Sequence, residues 1–306
     1  MDANIPLMGI LFVGIVALTN AVASFTQKVA TDHGWQSRQL FILYAWALTI
    51  ALVIAAVRSQ LIWNVAMVQI FVIGIANAYG GYCQWKAIQI SMIRNSLFGV
   101  MPSLFSMALA FVLLGEAKHL TSLAWSGMGI CALAVAVFTI SRYVRKRKEH
   151  QDDGSTLALI QYIASYAVIW GITGFLLKTD VVQELDVAQF MLGMYCGSFV
   201  TATTLMILLS RQEREKHDAP LDLKKTIPLL GVLAVCIVTW VGVSYFAYKH
   251  FFFVMVAPIT MVITTVVPVI ISILFFKKER NELTKFEWAV LSMGILGIVI
   301  LALQLK

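Results

Sequence analysis

Charged residues are scarce in this sequence. Only 13% of its 306 residues are Asp, Glu, Lys or Arg, whereas an ordinary soluble domain has roughly 25%. Hydrophobic residues make up 60% of the chain, and the mean hydropathy is +0.84. This composition excludes a soluble globular domain and predicts a polytopic membrane protein.

The residue types that build metal centres and disulfide frameworks are also few. The five histidines form no HExxH pattern, and no CxxC spacing joins the four cysteines, Cys83, Cys131, Cys196 and Cys236. These absences exclude a zinc site and a disulfide framework of the usual spacing. No nucleophile and base stand in a recognisable arrangement either. We therefore expect no metal, no cofactor and no enzymatic activity.

Positive charge exceeds negative charge, since the formal net charge is +7. The basic residues lie between the apolar segments, so membrane topology explains them better than nucleic-acid binding does. Most of the 23 lysines and arginines fall on the side opposite the chain termini. The positive-inside rule then predicts a multi-pass protein of the cytoplasmic membrane with both termini outside the cytoplasm.

Long apolar runs dominate what is present. Ten of them are long enough to cross a hydrocarbon core of about 30 Å, and each is too long and too continuously apolar for a strand of an outer-membrane barrel. The sequence therefore predicts an all-α integral membrane fold with ten transmembrane helices, at residues 8–29, 39–57, 65–85, 95–114, 122–141, 156–177, 187–209, 227–248, 252–276 and 286–304.

The second half of the chain repeats the first. A spacing of 163 residues joins six identical pairs, which are Glu116 and Glu279, Leu120 and Leu283, Thr121 and Thr284, Trp125 and Trp288, Tyr82 and Tyr245, and Lys86 and Lys249. Earlier in each half the spacing is 150, as between Lys28 and Lys178. We predict a first five-helix repeat at 1–141, a basic linker at 142–155 and a second repeat at 156–306. An odd number of helices per repeat inverts one repeat relative to the other, as in many secondary transporters.

Several motifs resemble those of the drug/metabolite transporter superfamily, EamA type. The stretches "PSLFSMALAFVLLGEAKHLT" and "PVIISILFFKKERNELT" resemble that family's Pro-led helix with its Gly-Glu-Arg-Leu-Thr-like ending, and "WGITGFLLK" resembles its first-helix signature. "FFKKE" departs from the usual Leu-Gly-Glu. The resemblance implies a ten-helix transporter and leaves the substrate open.

No Asp or Glu lies in the middle of a predicted span. Small multidrug-resistance proteins, distant relatives in the same superfamily, couple export to protons through such a Glu. We therefore disfavour a proton-coupled cation pump and expect uniport, exchange or coupling through a group near a loop. The expected partners are a small-molecule substrate and the lipid bilayer, and a monomer suffices although a dimer is possible.

Amide and aromatic side chains within the spans are the candidate substrate-binding residues. Asn20, Ser24 and Gln27 share one face of the first helix, where contact with a substrate and hydrogen bonding between helices are both open. Aromatic rings favour a cation over their faces or a planar heterocycle between them, and amino acids remain equally possible. The further candidates are Tyr44, Asn77, Tyr79, Tyr82, Trp85, Tyr166, Trp170, Tyr195, Trp240, Tyr245 and Tyr248.

Lys86 and Lys249 end equivalent helices of the two halves beside aromatic residues. Snorkelling to the interface is one interpretation. The other is an anion clamp, which would suit a flippase or transporter for a phosphorylated lipid or another anion. Glu116 and Glu279 are interpreted as markers of helix ends or as gating groups, and Pro102 and Pro268 as kinks of the fourth and ninth helices.

Overall fold

The computed structural model describes residues 4–32, 34–61, 65–115, 121–148, 155–182, 185–216, 221–250, 253–276 and 284–302. Within these ranges the chain is helical, with no strand. The helices are α1 (Asn4–Asp32), α2 (Gln36–Val57), α3 (Val65–Ile90), α4 (Met92–Leu97), α5 (Met101–Leu113), α6 (Ser122–Lys148), α7 (Ser155–Val182), α8 (Val187–Lys216), α9 (Leu223–His250), α10 (Phe253–Phe275) and α11 (Lys285–Ala302). Each of the ten apolar segments overlaps a helical region.

The outer faces of the helices are apolar. Val57, Val112 and Leu208 are 81%, 80% and 69% exposed, which is the pattern of a surface that meets lipid rather than water. Five helices of the described chain are long and apolar enough to cross a membrane, at Gln36–Val57, Val65–Ile90, Leu157–Asp180, Val187–Glu215 and Leu223–Lys249. The chain is therefore an all-helical, membrane-embedded protein.

The fourth apolar segment is interrupted. The short helix α4 is followed by a 3₁₀ turn at Phe98–Val100, and α5 then begins at Met101. Pro102 is the second residue of α5, a position where its missing N–H leaves no helical hydrogen bond unmade. The interruption thus precedes Pro102 instead of arising at it, whereas α10 runs unbroken through Pro268.

The helices of the two halves pack reciprocally. In the first half α3 contacts α7 and α8, and in the second half α9 contacts α1 and α2 in the same manner. The contact of α5 with α7 has its counterpart in that of α10 with α1. The pairs α2 with α8 and α6 with α11 join equivalent helices. The contacts among the described helices are therefore reciprocal between the first and second halves of the chain.

Helices α2 and α8 run antiparallel, and polar contacts join them at both ends. At one end, the carboxylate of Glu213 accepts hydrogen bonds from Ser37, at 2.9 Å from its backbone N–H and 2.6 Å from its hydroxyl. At the other end, Arg58 forms an ion pair with Asp186 at 3.0 Å. Asp186 also caps the start of α8, where it accepts a hydrogen bond from the N–H of Ala188.

Two glycines bring α3 and α8 into backbone contact. A Cβ at Gly197 would overlap the carbonyl oxygen of Phe71, and a Cβ at Gly74 would overlap that of Met194. Small residues allow such close approach in membrane-embedded helices, where van der Waals packing drives association. This crossing fixes the distance between α3 of the first half and α8 of the second half.

Candidate functional site

A cavity of about 270 Å³ lies between the two halves of the protein. Its described lining comes from α1, α2, α3, the α4–α5 region, α7, α8, α9 and α10. The aromatic residues of the lining are Tyr44, Trp85, Tyr166, Trp170, Phe190, Tyr195, Trp240 and Tyr248. Its amide and hydroxyl residues are Thr19, Asn20, Ser24, Gln27, Asn77, Gln84, Asn95, Ser96, Ser103, Ser106, Thr173, Thr260 and Thr264.

Helical spacing explains how the first and third helices reach the cavity. The lining residues of α1 are Thr19, Asn20, Ala23, Ser24 and Gln27, and those of α3 are Asn77, Gly81, Gln84, Trp85 and Ile88. Both sets recur at three and four residues, so each set forms one face of its helix.

Most of the candidate residues predicted from sequence meet at this cavity. The structure brings together Asn20, Ser24, Gln27, Tyr44, Asn77, Trp85, Tyr166, Trp170, Tyr195, Trp240 and Tyr248, together with Pro102 and Pro268. The rings of Tyr166 and Trp170 contact each other, with centroids 5.6 Å apart. These two rings of α7 thus pack on each other and also line the cavity.

Five of the predicted candidates lie outside the cavity. Tyr79 is 47% exposed, because it is two residues from Asn77 and so points away from the cavity face of α3. Tyr82 is half-buried on another face, and the Lys86 ammonium lies 5.5 Å from the centroid of its ring. Tyr245 and Lys249 line a separate cleft. Glu116 and Glu279 lie outside the described residues.

The separate cleft is polar and has a volume of about 380 Å³. It lies where α2 ends, α8 begins and α9 ends, beside the ion pair of Arg58 and Asp186. The Tyr245 hydroxyl donates a hydrogen bond to the carbonyl of Leu185. This bond joins α9 to the residues that precede α8. Lys249 is exposed at its rim.

Some polar lining residues are hydrogen-bonded to one another or to a residue of a neighbouring helix. The side-chain amide of Gln27 donates to the side-chain oxygen of Gln84 at 2.6 Å, which joins α1 to α3. Asn77 donates to Ser198 of α8 at 3.2 Å, and the Ser24 hydroxyl donates to Asn20 at 3.3 Å within α1. These contacts hold the amides in place beside the cavity.

None of the described residues that line the cavity is charged. Two buried lysines lie behind its walls instead. Lys28 donates to the carbonyl oxygen of Ile88 at 3.4 Å, and Lys178 to that of Tyr248 at 3.2 Å. Both acceptors belong to residues that line the cavity, in the last turns of α3 and α9. A cation at the C-terminal end of a helix is stabilised by the helix dipole.

The sequence reasoning missed the lining contributed by the interrupted fourth segment. Asn95, Gly99, Ser103 and Ser106 line the cavity at intervals of four and three. This polar periodicity is visible in "NSLFGVMPSLFS" and was a usable signal. Gln84 lies seven residues after Asn77 and beside Trp85, so helical spacing also predicts its place on the cavity face of α3.

No protein family and no curated protein sequence matches the chain. A solved crystal structure aligns with 96% of this chain and 96% of its own chain, with a TM-score of 0.59 and 14% identity. This similarity shows a shared fold over the full length. The long apolar helices define the class of the protein as an α-helical membrane protein.

Proposed function

We propose that the chain is a secondary transporter that moves a small polar metabolite across the membrane by alternating access. In this proposal ten helices span the membrane as two inverted repeats of the EamA type, and no carboxylate in the middle of a span takes part. The orientation with both termini outside the cytoplasm and the absence of enzymatic activity belong to the same proposal.

The observation that carries the proposal is a cavity whose walls come from equivalent helices of both halves. Trp85 and Tyr248 are equivalent in the sequence repeat and both line it. The equivalent lysines Lys28 and Lys178 each donate to the last turn of a helix behind the wall. Transporters built from inverted repeats bind substrate at the repeat interface and expose it by rocking one repeat against the other.

A flippase for a phosphorylated lipid has less support. Lys86 and Lys249 were its proposed clamp, and neither lines the cavity. The cavity volume lies just below the roughly 300–1,000 Å³ of small-molecule pockets. That volume suits a small metabolite better than a lipid headgroup with its chains.

Uptake into liposomes that contain the purified full-length chain tests the proposal. A broad panel of labelled metabolites should include at least one that accumulates by counterflow against the unlabelled compound. Replacing Trp240, which lines the cavity, with Ala should lower that uptake by about tenfold, the equivalent of about 1.4 kcal/mol. The matched control is Trp125→Ala, because Trp125 is 52% exposed and outside the lining. Equal uptake by both variants, or none by the wild type, would contradict the proposal.

A further inference from the structure

We propose that the cavity takes a substrate without an ionised group, an uncharged planar ring that carries both hydrogen-bond donors and acceptors. This inference rests on the transport function proposed above. It narrows the substrate class, since amines, quaternary ammonium compounds, carboxylates and phosphates are then poor substrates.

The first step is the charge of the lining. Among its described residues there is no Asp, Glu, Lys, Arg or His. An ionised group that enters such a site loses its hydration and gains no ion of opposite sign, and this cost is large in a low-dielectric environment. An uncharged molecule avoids it.

The second step is the position of the two buried lysines. Lys28 and Lys178 are 7% and 6% exposed, and their ammonium groups bond to carbonyls of wall residues. Neither lysine lines the cavity, so an anion gains no direct contact with them. The expected preference is therefore for an uncharged molecule over either ion.

The third step is what the amides of the α1 and α3 faces still offer. Gln27 and Gln84 bond to each other through one nitrogen and one oxygen. The Gln84 side-chain nitrogen, the Gln27 side-chain oxygen and the Asn20 side-chain nitrogen make no hydrogen bond to the described residues. Two donors and one acceptor therefore lie on one wall. An uncharged amide or heterocycle has both kinds of group to match them.

The fourth step is the aromatic surface. Trp170 of α7 and Trp240 of α9 are half-buried and line the same cavity. Indole faces bind flat rings by offset stacking. Because the described lining holds no carboxylate to pair with a cation, these rings favour a neutral heterocycle over a cation.

Two sets of near-isosteric compounds test the inference in liposomes that contain the full-length chain. The first set is nicotinamide, nicotinate and N1-methylnicotinamide. The second is indole-3-acetamide, indole-3-acetate and tryptamine. Within each set the ring is nearly constant and the charge is zero, negative or positive. After subtraction of the rate into protein-free liposomes, since uncharged compounds also cross a bilayer unaided, we expect the uncharged member of at least one set to enter at least about tenfold faster than its cation, and faster than its anion.

A charge placed in the cavity supplies a second readout. Asn20→Asp and Ser103→Asp each add a carboxylate to the lining, so each should raise the rate of the cation relative to the amide by about tenfold or more. Two variants guard against one that fails to fold. The control Gln212→Asp adds the same charge at an exposed position near the end of α8, beyond the apolar span 187–209, and should leave the order unchanged.

The outcomes separate the two proposals. If a cation or an anion is the fastest member of its set, transport stands and the uncharged-substrate inference is overturned. If no compound of either set and none of the metabolite panel enters, the transport function is overturned and the inference with it. If the uncharged member leads and the aspartate variants raise the rate of the cation relative to it, both are supported. If it leads and the aspartate variants leave that ratio unchanged, the uncharged-substrate inference is overturned.

Discussion

The side-chain ammonium of Lys178 donates a hydrogen bond to the carbonyl oxygen of Tyr248, 3.2 Å away in the last turn of α9. The equivalent lysine of the first half, Lys28, does the same for Ile88 in the last turn of α3. Each half thus uses a buried cation on its first helix to satisfy the end of its third helix. These contacts tie together the helices that bound the cavity.

Removing this cation should destabilise the fold. In Lys178→Met the side chain keeps its length, but the Tyr248 carbonyl loses a charged donor in a buried place. We expect the free energy of unfolding to fall by roughly 1.5–3 kcal/mol, the range for hydrogen bonds to charged groups. Unfolding in mixed detergent micelles measures this loss. The control Lys249→Met changes an exposed lysine of α9 and should alter stability by less than about 0.5 kcal/mol. Equal losses in the two variants would show that the contact contributes nothing specific.

The hydrogen bonds between Ser37 of α2 and Glu213 of α8 give a second prediction. Glu213 is only 8% exposed and accepts two hydrogen bonds from Ser37, one of them from a backbone N–H at the start of α2. Glu213→Ala leaves both donors without this acceptor, so we expect a loss of about 3 kcal/mol or more in the free energy of unfolding.

Glu215, two residues further along α8, is the matched control for Glu213. It pairs with Arg211 at 3.5 Å, and both side chains are exposed. Such a pair contributes little in solvent, so Glu215→Ala should cost less than about 0.5 kcal/mol. Chemical denaturation of the two variants in the same detergent measures both values. A loss for Glu213→Ala no greater than that for Glu215→Ala would show that the hydrogen bonds from Ser37 to Glu213 contribute little to stability.

The helices could be predicted from the sequence because length and apolar character are local properties. The cavity face of α1 was also predictable, since the spacing of Asn20, Ser24 and Gln27 depends on helical geometry alone. Aromatic residues predicted the cavity lining less well. Tyr79 and Tyr195 look alike in sequence, yet one faces outward and the other is fully buried in the lining, because only tertiary packing determines which side of an apolar helix meets protein.

The lysine contacts could not be predicted, for a related reason. Lys178 looks like an interfacial residue at a helix end, which is the position where lysines commonly snorkel. Its acceptor, Tyr248, is 70 residues away in the chain, and only the packing of α7 beside α9 brings the two together. The interrupted fourth segment was hidden as well, since its apolar run reads as one helix.

The close crossing of α3 and α8 gives a third prediction. Gly197→Ala would place a methyl group against the carbonyl of Phe71, and backbone atoms cannot move aside as a flexible side chain does. We expect a loss of roughly 1–3 kcal/mol, as for other overpacked sites. Gly129→Ala is the control, because a Cβ at Gly129 of α6 meets nothing within 4 Å.

Helix propensity alone would make either substitution favourable by roughly 0.5–1 kcal/mol. The two variants should therefore change thermal stability in opposite directions, which a melting experiment in one detergent resolves. A stabilised Gly197→Ala protein would mean that α3 and α8 separate without cost.

The pair of Gln27 and Gln84 separates a structural role from a role in recognition. Their 2.6 Å hydrogen bond joins α1 to α3 beside the cavity. Gln27→Leu leaves the Gln84 amide without its hydrogen bond, and Gln84→Leu does the same to Gln27. Each substitution should therefore destabilise the protein by roughly 1–3 kcal/mol. The double change to Leu removes both polar groups, so stability should return to within about 1 kcal/mol of the wild type.

Transport should not recover in that double variant, because the remaining nitrogen of Gln84 and oxygen of Gln27 are the groups we assign to the substrate. We therefore expect a stable protein whose uptake of its uncharged substrate is lowered by tenfold or more, since each polar contact is worth about 1 kcal/mol or more. Parallel measurements of uptake and of unfolding in the four proteins of this cycle decide the matter. Full uptake by the stable double variant would show that the two glutamines only hold α1 to α3, and recognition would then rest on Asn20 and the aromatic rings.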